Sequence, residues 1–190
     1  FLPEDKKHHL GTISSILLAI SIIINIMPCQ GELFGGMYTT SPLANALKTI
    51  LSAGTLIIFL QSTDWLSKGE TAQRRGEFYV LTFSTLIGLF YMISAGNFLM
   101  LFIGMELATI PVACLVAFDK YKGHSAEAGA KFILSALFSS GLMLYGISML
   151  YGSTGTLYFN DIPSLLVASP LEILSLVFFF SGLAFKLSLV

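Results

Sequence analysis

Charge is what this sequence has least of. Only 11% of its 190 residues are Asp, Glu, Lys or Arg, less than half the roughly 25% of a soluble globular domain. The net charge is −1, so there is no basic field to attract nucleic acid, and no nucleic-acid partner is expected. Cysteine is almost absent too. Cys29 falls in a connection and Cys114 inside an apolar run, which offers neither a disulfide framework nor a paired-cysteine metal site. His8, His9 and His124 all lie in connections, where solvated surface histidine is the default. Haem or metal ligation inside a bilayer needs His or Cys at helix depth, so an intramembrane redox enzyme is set aside. No glycine-rich nucleotide fingerprint follows a strand. A signal-peptide pattern is also missing, and the chain opens at Phe1 without Met and stops at Val190 within an apolar run. It reads as an internal fragment of a longer protein.

What is present in quantity is hydrocarbon. Apolar residues make up 55% of the chain, with 16 Phe, and the mean hydropathy is +0.81. Too little polar surface remains to cover a soluble globule, so lipid must act as part of the solvent. A helix needs about 20 residues at 1.5 Å rise to cross the hydrocarbon core. Runs near that length occur at Leu10–Met27, Pro42–Leu60, Phe78–Ala95, Phe98–Phe118, Gly129–Tyr151 and from Leu171 to the end. The expected fold is therefore all-α, a single polytopic transmembrane bundle of about six spanning helices. The second run is the weakest because Lys48 sits near its start, although Ser41-Pro42 reads as an N-cap followed by Pro at the first helical position. Only Gly96-Asn97 separates the third run from the fourth, which predicts a tight antiparallel hairpin.

Loop charge supports this layout. In an alternating bundle, the N-terminal segment and the links after the second and fourth helices share one side. They carry Lys6, Lys7, Lys68, Arg74, Arg75, Lys120 and Lys122, and the opposite side carries only Lys48. The positive-inside rule puts the first set in the cytoplasm.

Three charges fall within the proposed spans: Glu106, Lys131 and Lys186. Glu106 lies roughly 12 Å and Lys186 roughly 20 Å along its own helix, too deep to snorkel easily. An ionised group at that depth costs a few kcal/mol at least, so it should face the bundle and find a partner. Opposite signs on separate helices make an ion pair the natural solution. Pro111 removes the backbone donor to the Leu107 carbonyl beside Glu106 and should bend that helix. A freed carbonyl beside a buried carboxylate is a place for water, and Thr109 adds a hydroxyl on the same face. Lys131, Ser135 and Ser139 follow one another at i, i+4 and i+8 as a polar stripe.

Each feature has a plainer alternative. Glu106 and Lys186 form either a static pair that fixes helix packing or a mobile one. Lys131 has Glu127 four residues before it, the favourable order for a simple interfacial pair. The stripe lines a hydrated path or forms a small-residue packing seam. If the Glu–Lys pair is mobile, a chemistry follows. Desolvation disfavours an ammonium and a nearby carboxylate restores it. Bringing the pair together or apart then makes the lysine take up or release a proton, and water-linked groups of this kind form a relay.

Three stretches carry a resemblance: Gly76-Glu77-Phe78-Tyr79-Val80-Leu81 through Gly104-Met105-Glu106-Leu107, then Glu127-Ala128-Gly129-Ala130-Lys131-Phe132-Ile133-Leu134-Ser135-Ala136, then Gly182-Leu183-Ala184-Phe185-Lys186-Leu187-Ser188-Leu189-Val190. In this order and spacing they resemble the antiporter-like membrane-arm subunits of respiratory NADH–quinone oxidoreductase (complex I), and within that family the subunit N type. The resemblance implies that Glu106 is the mid-membrane glutamate of the family's fifth helix. Lys131 is then a lysine of the sixth, and Lys186 the lysine of the broken seventh. It implies that the family's first helix is missing here, together with the later lysines and the second inverted repeat, so that the fragment alone should not pump. It also implies a proton-translocating, non-redox role, driven by quinone reduction elsewhere. NADH, flavin, iron–sulfur clusters and quinone would reside on partner subunits, and the chain would sit among other membrane-arm subunits in the bacterial inner membrane. A subunit of a cation/proton antiporter or of a membrane-bound hydrogenase is the nearest alternative, disfavoured by the Phe-Lys-Leu-Ser-Leu-Val wording. A structural membrane scaffold is the other.

Overall fold

The computed structural model describes residues 10–27, 29–67, 71, 74–120 and 122–187. Lys6, Lys7, His8, His9 and Lys68 lie outside the described residues. Every expected run is helical. In chain order the elements are α1 (Leu10–Ile26), strands β1 (Gly31–Leu33) and β2 (Tyr38–Thr40), α2 (Pro42–Leu66), α3 (Arg75–Ile93), α4 (Phe98–Val116), α5 (Gly123–Thr154), a single-turn α6 (Ile162–Leu165) and α7 (Pro170–Lys186). Four of them, α2 to α5, are long and apolar enough to cross a membrane, while α1 and α7 have 17 residues each. Apolar side chains such as Ile23, Leu134 and Phe138 face outward, as expected where lipid rather than water is the solvent.

The helix ends follow local chemistry. Ser41 accepts from Ala44 N–H and Pro42 opens α2, as expected. The helix then continues past the anticipated Leu60 to Leu66, carrying Asp64 and Trp65 beyond the apolar run. Helix α5 is also longer than its apolar core, 32 residues or about 48 Å. Its charged first turns therefore extend beyond a hydrocarbon layer about 30 Å thick. It stops at Gly155, whose φ of 72° only glycine adopts without strain. Helix α7 opens with a capping box. Ser169 accepts from Glu172 N–H, and the buried Glu172 carboxylate accepts from the N–H groups of Ser169 and Val167.

One feature differs from the sequence expectation. The connection after the first helix is an antiparallel hairpin, with Glu32 opposite Thr39, turning through Phe34, Gly35 and Gly36 at positive φ. Three-residue strands carry too little alternation to be read from sequence. The hairpin is held at one end of the bundle by backbone hydrogen bonds. Thr39 N–H donates to Ser94, Gly96 N–H to Met37, Phe98 N–H to Leu157 and Phe159 N–H to Gly96. A side chain at Gly96 would run into the Gly36 carbonyl at 2.1 Å, so this three-loop junction requires glycine there. Asn97 then caps α4 by accepting from Met100 N–H at 2.7 Å.

At the other end, Arg75 donates to the Leu66 carbonyl at 2.6 Å, Arg74 donates to the Phe118 carbonyl, and Trp65 packs on Phe118. Alternate connections thus share an end of the bundle, which is the arrangement the charge count assumed. Lys48, the exception in that count, is buried near the start of α2, where it donates to the Tyr38 hydroxyl at 2.9 Å over the ring face. Two apolar centres fill the bundle. One gathers Leu18, Phe59, Leu66, Tyr79, Leu86 and Phe118 from α1 to α3 and the end of α4; the other gathers Met105, Met143, Ile147 and Phe179 from α4, α5 and α7.

Candidate functional site

The second apolar centre borders the site. Helices α5 and α7 cross closely because Gly182 has no side chain. A Cβ there would lie 2.6 Å from the Ser139 carbonyl oxygen and 2.9 Å from Met143. The Ser139 hydroxyl, wholly buried, uses that proximity to donate to the Gly182 carbonyl at 2.7 Å. This contact fixes α7 one helical turn before Lys186.

From that position Lys186 reaches across to α4. Its ammonium donates to Glu106 Oε1 at 2.5 Å, and the two side chains are only 11% and 20% exposed. Glu106 stands mid-helix, about 12 Å from the start of α4, and Lys186 is the last residue of α7. Two opposite charges so largely removed from water need each other, since either alone would be strongly disfavoured. Met105 and Leu183, both in the second apolar centre, lie within one helical turn of Glu106 and Lys186 along their own helices.

A third group completes the site. The Ser140 hydroxyl, from α5, lies 2.5 Å from the same Glu106 Oε1 and 2.8 Å from the Ala136 carbonyl. One carboxylate oxygen therefore joins three helices. Sequence reasoning passed over Ser140 because it lies off the i, i+4, i+8 stripe, although its place beside Ser139 in an apolar helix was a usable signal.

The remaining sequence candidates are distributed differently. Thr109 donates to the carbonyl of Met105 in its own helix at 2.7 Å rather than to the Glu106 carboxylate, the usual back-bond of threonine in a helix. The stripe Lys131–Ser135–Ser139 divides. Each four-residue step rotates about 40°, so Lys131 and Ser139 are about 80° apart. Ser139 turns into the α7 contact, whereas Ser135 is exposed and donates to the Phe132 carbonyl. Lys131 is also exposed and pairs with Glu127 at 2.5 Å, four residues back along the same helix. Pro111 lies buried within α4, leaving the Leu107 carbonyl without its helical donor beside Glu106. Among the described residues, no three His, Cys, Asp or Glu side chains gather into a metal-holding group.

Comparison with known proteins places this arrangement. Residues 95–190, which include α4, α5, α7 and the Glu106 carboxylate with both groups bonded to it, match the family model described as "NADH:quinone oxidoreductase/Mrp antiporter, TM". The whole chain is 62% identical to NADH-quinone oxidoreductase subunit N of Phocaeicola vulgatus and 49% identical to that of Azobacteroides pseudotrichonymphae. It spans 40% of the length of each of these curated relatives. The fold is similar to that of a chain in respiratory complex I from Thermus thermophilus with bound aureothin, at a TM-score of 0.75 and 22% identity over 97% of this chain and 39% of that one. It is equally similar, at a TM-score of 0.75 and 20% identity over 95% of this chain and 38% of the other, to one in the membrane-bound sulfane sulfur reductase, an archaeal respiratory membrane complex. The chain belongs to the NADH:quinone oxidoreductase/Mrp antiporter transmembrane family.

Proposed function

We propose that this chain is part of a proton-translocating, antiporter-like membrane-arm subunit of a bacterial NADH–quinone oxidoreductase, of the subunit N type. The single observation that carries this reading is the Glu106–Lys186 ion pair, held between α4 and α7 and largely shielded from solvent. In this reading the pair is the switch of the relay. Closed, it stabilises carboxylate and ammonium together. Opened, it strands both charges in a poorly solvated site, a cost that transfer of a proton relieves. Lys131 lies about 13 Å along α5 from Ser140 and serves as the next ionisable step toward the arginine- and lysine-bearing end of the bundle. The hydroxyls of Ser135, Ser139 and Thr109 donate to the carbonyls of Phe132, Gly182 and Met105, so each serves such a route only as an acceptor.

The chain has no redox role in this proposal. NADH, flavin, iron–sulfur clusters and quinone belong to partner subunits, and quinone reduction there drives the pair open and closed. The complex sits in the bacterial inner membrane, with Arg74, Arg75, Lys120 and Lys122 on the cytoplasmic side. The cation/proton antiporter alternative is weaker, because the 62% and 49% identical relatives are both subunits N of NADH-quinone oxidoreductases.

The test uses the full-length subunit in the assembled complex. Glu106→Gln and Lys186→Ala should each lower proton translocation into membrane vesicles at least about tenfold, the effect of removing a paired charge from a buried site. Wild-type translocation in both variants, with assembly intact, overturns the proposal in favour of a structural scaffold.

A further inference from the structure

The ion pair does not explain why a hydroxyl shares the carboxylate oxygen with the ammonium. Ser140 carries one hydroxyl proton and has two acceptors within reach, Glu106 Oε1 at 2.5 Å and the Ala136 carbonyl at 2.8 Å. It can serve only one of them at a time. While Glu106 is ionised, the charged oxygen is the stronger acceptor and the proton points there. Suppose now that the Lys186 ammonium gives its proton to Oε1. One N–H bond breaks, one O–H bond forms, and carboxylate plus ammonium become carboxylic acid plus amine with the net charge unchanged. Oε1 has become a donor. The serine then turns its own proton to the Ala136 carbonyl and accepts the new one on Oγ. A rotation about a single C–O bond suffices, and no heavy atom has to move.

Among the described residues on this carboxyl, Ser140 alone can serve both states without leaving its place. The Lys186 ammonium only donates; the amine left after transfer can accept, but only while the pair stays closed, whereas the serine remains when it opens. Thr109 is committed to the Met105 carbonyl. Ser139 is committed to the Gly182 carbonyl and already fixes α5 against α7, so Ser140 is not needed for that contact. Ser140 itself is buried, which spares its hydroxyl most of the competition from bulk water.

We propose that Ser140 is a positioning residue for proton exchange at Glu106, its hydroxyl re-pairing as the carboxyl gains and loses its proton so that both states stay hydrogen-bonded in one place. The inference rests on the proton-translocating reading above.

Ser140→Ala, Ser140→Thr and Glu106→Gln, made in the full-length subunit of the assembled complex, test it with two readouts. One is proton translocation per complex in membrane vesicles. The other is the infrared carboxyl band of Glu106, assigned by its loss in Glu106→Gln. Ser140→Ala should shift that band and reduce translocation about tenfold, the scale of one hydrogen bond to a charged group. Ser140→Thr, which keeps the hydroxyl, should retain both. An unshifted band with normal translocation in Ser140→Ala overturns the inference, as does a Thr variant as impaired as the Ala one. If Ser140→Ala does not assemble, Ser140→Cys replaces it, because a thiol fills similar space but donates weakly; an unshifted band in that variant also overturns the inference. Loss of translocation in Glu106→Gln alone defeats the Ser140 role and spares the relay, whereas normal translocation in Glu106→Gln defeats the relay itself.

Discussion

Among the described residues, two glutamate–lysine pairs share the same 2.5 Å separation and have almost nothing else in common. Glu127 and Lys131 are four residues apart on α5, with side chains 57% and 75% exposed. Glu106 and Lys186 are 80 residues apart on different helices, and are 20% and 11% exposed. Distance alone would rank them equal. The surroundings separate them, because Coulomb energy, desolvation cost and the consequence of losing one partner all grow as water is withdrawn. The exposed pair is a product of helical spacing. The shielded pair exists only because three helices meet at one oxygen.

The sharpest way to break the comparison is to neutralise one member of each pair. Glu106→Gln leaves the Lys186 ammonium without its counter-charge in a shielded site, and should destabilise the full-length subunit by about 3–5 kcal/mol. Thermal unfolding of the purified protein in detergent measures this. A loss of less than about 1 kcal/mol would mean that water already solvates the site as well as it does a surface pair.

A double-mutant cycle gives the next largest contrast. The coupling energy between positions 106 and 186 should exceed that between 127 and 131 severalfold, the latter lying near 0.3–0.5 kcal/mol as for other i, i+4 helix pairs. Equal couplings would mean that shielding adds nothing to the pair between α4 and α7.

Gly182→Ala sharpens it by acting on packing rather than charge. The new Cβ presses on the Ser139 carbonyl and on Met143, which should cost about 1–3 kcal/mol and move Lys186 relative to Glu106. Translocation should fall with it, and an analogous Gly141→Ala change, where a Cβ meets nothing within 4 Å, should leave stability within about 0.5 kcal/mol of wild type. The smallest effect is expected at Glu127. Glu127→Gln should alter stability by less than about 0.5 kcal/mol, while Lys131→Ala should lower translocation by less than Glu106→Gln does.

Much of the fold was legible along the chain. All six apolar runs are helices, the Ser41-Pro42 start of α2 and the Gly96-Asn97 turn fall as expected, and alternate connections gather at the same end. These features depend on runs, caps and turn residues that act over a few positions. What was not legible needed neighbours distant in sequence. The hairpin at Gly31–Thr40 is held by the α3–α4 turn. Lys48, which weakened the case for a second span, is accommodated by Tyr38 from that hairpin. Thr109 was expected to face the carboxylate and instead bonds its own helix, while Ser140 supplies the hydroxyl.

Composition and hydropathy were enough to make lipid the solvent, to place the helices, and to require partners for Glu106 and Lys186, because an unpaired charge at helix depth is costly whatever the fold. They could not choose the partners. A 3.6-residue period says which residues share a helix face but nothing of which face meets which helix. Packing made that choice: Gly182 lets α7 close on α5, this crossing carries Lys186 to Glu106, and Ser140 rather than Ser139 meets them there.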